Sequence, residues 1–179
     1  LPPSLYLSVD SLNFGLVLEQ LSFDIINSGD DVLNWNILPT DEWLALSVSS
    51  GETSEEVTIY TNVDRSILYK GEYGFDLEIE SNGGNKEIEI ILDVLPVLNV
   101  LEDFIDLNSI LDEFWFTITN TGSGIMPWSI DLDEDWIQLL VQNGETSIEE
   151  DVVFGSVNRN GLASGDYHGL NGTLTLGGN

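Results

Sequence analysis

The chain has 179 residues and sets 32 Asp+Glu against 4 Lys+Arg, a net charge of -28, with one His and no Cys. A chain this acidic repels polyanions, which excludes nucleic acid and anionic membrane surfaces as partners, and the missing Cys excludes a disulfide framework and a thiolate zinc site. A hydrophobic share of 42% with 5 Trp, 5 Tyr and 7 Phe excludes an acidic disordered tail, and no apolar run approaches the ~20 residues of a membrane span.

Taken in chain order, the elements read as strands. Leu21, Phe23 and Ile25 alternate with polar neighbours, as do Val57, Ile59 and Thr61; period-two alternation marks a half-buried strand. Residues 64–68 are a single helical turn or a loop. Phe75 to Ile79 and Ile88 to Val94 flank Asn82-Gly-Gly-Asn85, a hairpin signal, because Gly and Asn supply the positive φ of tight turns. Residues 92–100 hold no Gly or Ser and one Pro, so strand is expected to run into strand without a floppy linker. Phe114, Phe116 and Ile118 alternate again. Turn signals every 8–12 residues or so suggest a β-sandwich.

The chain repeats itself. Asn27-Ser-Gly29 recurs as Asn120-Thr-Gly122, Trp35 as Trp128, Trp43 as Trp136, and Gly51-Glu-Thr-Ser54 as Gly144-Glu-Thr-Ser147, all 93 positions apart. After a one-residue insertion the offset becomes 94: Tyr60 meets Phe154, Asp64-Arg65 meets Asn158-Arg159, and Gly71-Glu-Tyr73 meets Gly165-Asp-Tyr167. This gives two copies of one all-β domain, residues 1–94 and 95–179, expected end to end in an extended arrangement. The copies differ after their shared Tyr. Phe75, Leu77 and Ile79 alternate in the first, whereas Leu170, Leu174 and Leu176 fall one step out of phase in the second. A one-residue slip turns side chains to the other face, so a bulge is expected near Gly169–Gly172.

Leu12-Asn-Phe14-Gly15, Asn27-x-Gly29, Leu33-x-Trp35, Trp43-Leu44, Ser49-Ser-Gly51 and Gly71-x-Tyr73 together resemble the BACON domain. The resemblance covers both copies. It implies tandem immunoglobulin-like β-sandwiches of the kind found in bacterial and viral surface proteins, often beside carbohydrate-active enzymes. The second copy departs from the pattern at Asn108, where Gly is expected, and along Tyr167–Leu176.

The first copy continues into Lys86–Val94 as a last strand, whereas the second stops where that strand would begin. The reading expects a cut within a longer array; the competing expectation is an edge strand donated by another chain.

Candidate chemistry is sparse. His168 lies near Ser164 and Asp166, but its counterpart is Gly74, and a solvent-facing His is expected in place of a triad. Asp131, Asp133 and Asp135 imitate the start of a calcium loop, yet Trp136 and Gln142 stand where that loop needs Gly and Glu. They remain the calcium candidate against a plain solvated loop; no other cofactor is expected. The repeated Trp35, Trp43, Trp128 and Trp136 read as packing residues. Trp115, whose counterpart is Ser22, is expected to face outward, where it would stack on a sugar or fill a subunit contact. Tyr69, opposite Ala163, is the second unrepeated aromatic. Glu78, Glu80, Glu87 and Glu89 are expected on one outward hairpin face, which predicts a saline or calcium-containing surrounding.

The expected function is a non-enzymatic extracellular or cell-surface structural module, a spacer, stalk or fibre segment, partnered by neighbouring repeats or copies of itself. A carbohydrate-binding module or adhesin using Trp115 is the alternative, with glycans as partners.

Overall fold

The computed structural model describes residues 1–38, 40–102, 104–165, 167 and 173–176, the last four by backbone only. His168 and the expected bulge at Gly169–Gly172 lie outside the described residues. The chain divides into two compact units, Leu1–Leu95 and Pro96–Asn179.

In the first unit, β1 (Leu5–Leu7), β3 (Gln20–Asn27), β7 (Glu56–Val63) and β5 (Leu44–Leu46) make one sheet in the order β1-β3-β7-β5. The other sheet runs β2-β9-β8-β4-β6, from β2 (Ser11–Asn13), β9 (Lys86–Val94), β8 (Gly71–Ser81), β4 (Leu33–Ile37) and β6 (Ser50–Thr53). All pairings are antiparallel except β2 with β9. Alternation decides which side chains meet between the sheets: Phe23 and Ile25 from β3, Ile59 from β7, Leu77 and Ile79 from β8, and Ile88, Ile90 and Leu92 from β9 are all buried. Each such side chain contributes about 1.5–3 kcal/mol by leaving water. The 82–85 turn joins β8 and β9 in register, with Ile79 opposite Lys86. Residues 65–67 form one 3-10 turn, which Asp64 caps by accepting from Ser66 N.

The second unit repeats the plan. Its first sheet is β10-β11-β15-β13, from β10 (Leu98–Val100), β11 (Glu113–Asn120), β15 (Glu150–Val157) and β13 (Ile137–Leu139). Its second is β14-β12-β16, from β14 (Asn143–Thr146), β12 (Met126–Asp131) and β16 (Thr173–Leu176). Strand β16 pairs with β12 as β8 pairs with β4. Among the described residues this sheet holds no counterpart of β9, and residues 104–106, which match β2, are not strand; a strand of three residues forms only where a neighbour completes its ladder. The buried residues accordingly split into two small clusters, one around Ile118, Met126 and Trp128 and one around Phe114, Ile137 and Val157.

Candidate functional site

The repeated tryptophans, asparagines and arginines hold each sandwich together. Trp35 lies in register with Gly51, and Trp128 with Gly144. A Cβ on Gly51 would come within 2.8 Å of Trp35 Cζ2, and one on Gly144 within 2.5 Å of Trp128 Cζ2. Each glycine therefore leaves the space its tryptophan fills. Trp43 packs edge-on against Tyr73 with centroids 6.3 Å apart, and Trp136 against Tyr167 at 5.8 Å. The two tyrosine hydroxyls donate four residues back, to the carbonyls of Tyr69 and Ala163, both at 3.0 Å.

Asn27 and Asn120 are hydrogen-bond hubs. Asn27 Oδ1 accepts from Gly29 N at 3.0 Å and Ser4 N at 3.2 Å, and its Nδ2 donates to Asp31 O at 2.8 Å. Asn120 Oδ1 accepts from Gly122 N and Val97 N, both at 3.0 Å, and its Nδ2 donates to Gly124 O at 2.7 Å. The Asn-x-Gly motif thus ties the incoming chain to a turn.

The departure at Asn108 is conservative in geometry. Gly15 has φ 50° and Asn108 φ 43°, and Asn is the side chain that best tolerates this left-handed region. Gly15 N donates to Asn13 Oδ1 and Asn108 N to Asp106 Oδ1, both at 2.8 Å. The turn closes alike in both units, Leu18 N donating to Phe14 O and Leu111 N to Leu107 O, both at 3.1 Å.

One repeated residue has a role that its sequence position alone did not reveal. Arg65, 8% exposed, donates to Asp93 O at 3.2 Å, Gly15 O at 2.9 Å and Phe14 O at 3.4 Å. Arg159 does the same for the second unit, donating to Leu111 O at 2.6 Å, Leu107 O at 3.5 Å and Asp112 Oδ1 at 2.7 Å. Burial lowers the Arg65 pKa from its ordinary value, while Glu19 and Asp93 oppose that shift. The available signal was scarcity: half of the four basic residues recur at one position.

The calcium candidate does not assemble. Asp131 ends β12, and Asp133 and Asp135 follow in an exposed loop. Among the described residues no group of three or more His, Cys, Asp or Glu could hold a metal ion. Glu149 instead turns its carboxylate on its own hairpin, where its own backbone N–H and those of Ser147 and Ile148 lower its pKa. Asp151 accepts from Trp128 Nε1 at 2.7 Å. The acidic hairpin face sets Glu78 directly opposite Glu87 and Asp76 opposite Glu89, all exposed.

Tyr69 and Trp115, about half exposed, belong to different units. Trp115 stands on the outward face of β11, directly opposite Phe154 on β15. Leu139 pairs with Gly155 and Leu140 N donates to Phe154 O at 2.9 Å, which sets Leu140 beside Phe154. Trp115, Phe154 and Leu140 are 54%, 51% and 82% exposed, and Val152, next along β15 on the same face, is 43% exposed. The first unit has Ser22, Tyr60, Ser47 and Thr58 at these positions. Its face is polar and internally bonded: Ser47 Oγ accepts from Tyr60 N at 3.0 Å, and Thr58 Oγ1 donates to Asp24 Oδ1 at 2.6 Å.

Among solved structures, the chain is similar to a protein of unknown function from Porphyromonas gingivalis W83, with 12% identity over 86% of this chain and 83% of that one and a TM-score of 0.42. It is also similar to the YadV chaperone, with 12% identity, 97% and 99% coverage and a TM-score of 0.42. Domains 5–6 of the S-layer protein SbsC give 12% identity, 97% and 91% coverage and a TM-score of 0.34. No curated protein matches. The viral BACON domain profile matches residues 5–90 and again residues 98–174, and with both sandwiches covered the chain belongs to the viral BACON domain family.

Proposed function

We propose that this chain is a non-enzymatic structural module, a pair of BACON sandwiches serving as a spacer, stalk or fibre segment of an extracellular or cell-surface assembly. The observation that carries the reading is the use of the repeated side chains. Trp35 and Trp128, Asn27 and Asn120, and Arg65 and Arg159 are engaged in packing or in bonds to their own unit's backbone. Where copies agree they maintain a scaffold, and a scaffold is what a spacer supplies. An open depression lined by Asn34, Trp35, Asn36, Glu80, Ser81 and Asn85 contains one carboxylate, whereas glycoside hydrolysis needs two across a cleft. A glycan platform at Trp115 is less well supported. The side chains beside it on that face, Phe154, Leu140 and Val152, are apolar, and the acceptors Glu113 and Glu150 stand only at the ends of the row.

Immunogold labelling with antibodies against residues 1–95 tests the placement. Label on the exterior of intact particles is expected; label appearing only after lysis overturns it.

A further inference from the structure

We infer that the outward face of β11 and β15 in the second unit, with Leu140 just after β13, docks a protein partner whose contact surface has an apolar centre and a rim of Lys and Arg. The inference goes beyond the structural reading and does not rest on it. Its first ground is the contrast between copies: one backbone carries a polar face in the first unit and Trp115, Phe154, Leu140 and Val152 in the second. Water disfavours such a row across two strands and the residue that follows a third, and a continuous exposed apolar patch marks an interaction surface. Trp in particular anchors protein interfaces.

Charge selects the partner. Glu113, in register with Ser156, borders the row on one side, and Glu150, in register with Thr119, lies beyond Val152 on the other. At the edge, Glu102 Oε2 accepts from Thr117 N at 2.7 Å. The one basic residue of the second unit, Arg159, is turned to Asp112 and two carbonyls. An acidic rim around an apolar centre is complementary to a cationic rim. A second copy would set Glu113 and Glu150 against carboxylates, with the -28 charge of each chain opposing the approach. A face, unlike a sheet edge, takes side chains and not an added strand.

The test uses the full chain and a short amphipathic helical peptide of leucine and lysine as probe, with a leucine–glutamate peptide of the same pattern as control. Binding is followed by NMR, the Trp115 indole signal being assigned from Trp115→Ser. The leucine–lysine peptide is expected to shift the Trp115 and Phe154 signals. Affinity is expected to drop roughly tenfold or more in Trp115→Ser/Phe154→Tyr, which installs the first unit's residues, and to fall with salt. Leu140→Ser and Val152→Thr give the same reading should the double variant fail to fold. Binding unchanged by these substitutions would mean general attraction to an acidic chain and overturns the proposal. Dimerisation of the wild type that the substitutions abolish overturns it in favour of a second copy. A neutral oligosaccharide that moves the same signals overturns it in favour of a glycan.

Discussion

Trp128 Nε1 donates to Asp151 Oδ2 at 2.7 Å, whereas Trp35, its counterpart, has a buried Nε1 with no acceptor among the described residues. The residue matching Asp151 is Val57, so one substitution between copies made or removed an acceptor. Asp151→Val is expected to leave the Trp128 N–H unpaired and to destabilise the second unit by about 1–3 kcal/mol. Asp151→Asn, which keeps an oxygen, should lose less. Urea unfolding followed through the Trp128 indole NMR signal measures both.

A second difference between copies is compensated in volume. Leu21 faces Thr61 in the first unit, and Phe114 faces Gly155 in the second. A Cβ on Gly155 would lie 2.3 Å from Phe114 Cζ. Gly155→Thr is expected to cost about 1–3 kcal/mol by overpacking. Adding Phe114→Leu, which recreates the first unit's pair, should recover much of that loss. A double-mutant cycle in urea reads the coupling; strictly additive losses would show that the ring and the glycine are independent.

Much of this architecture is legible in the sequence because two faces of a strand must differ when one is buried. The alternation of Phe23 and Ile25, of Ile88 and Ile90, and the 82–85 turn sufficed to place β3, β8 and β9, and the duplicated Trp and Gly residues marked the units. What the sequence did not reveal was partnership. Arg65 and Arg159 bind carbonyls some fifty positions away, and no local pattern encodes a side chain's reach across a fold. Trp115 was legible as outward, since alternation alone decides it. The company of Phe154 and Leu140 was not, because it depends on strand register and on a backbone bond just past the end of β13. The calcium candidate shows the same limit: spacing along the chain does not by itself supply convergence.

Removing an arginine clamp should loosen one specific turn. Arg65→Ala withdraws a charged donor from three carbonyls, with about 1.5–3 kcal/mol expected for bonds of this kind. Hydrogen exchange should quicken at Leu18 and Asp93, whose amides donate to Phe14 and Gly15 carbonyls. Arg65→Lys, with one compact ammonium, should recover only part.

Glu78 opposite Glu87 predicts a stability that follows ionic strength. Glu87→Lys replaces a like-charged cross-strand pair with an opposite one and should stabilise the first unit by about 0.2–1 kcal/mol. Added salt should raise the wild-type Tm and raise that of the variant less, as read by calorimetry at fixed pH.

Glu149 supplies a pH signature. Its pKa is depressed in the folded chain because its own N–H and those of Ser147 and Ile148 favour the carboxylate. A depressed acid contributes stability above its unfolded pKa and loses it as pH falls through the folded one. The Ser147 and Ile148 amide signals should therefore shift at a pH below the ordinary carboxylate range. Glu149→Gln should abolish the shift.

The inward use of arginine has a colloidal consequence. With Arg65 buried and Arg159 paired to Asp112, Lys70 and Lys86 are the positive side chains left to offset the carboxylates at the exterior. Particles coated with such chains would hold one another off over roughly a Debye length, about 8–10 Å in physiological salt. That spacing would widen in fresh water and shrink in brine, so the crowding of a coat built from them would be set by the medium as much as by the protein.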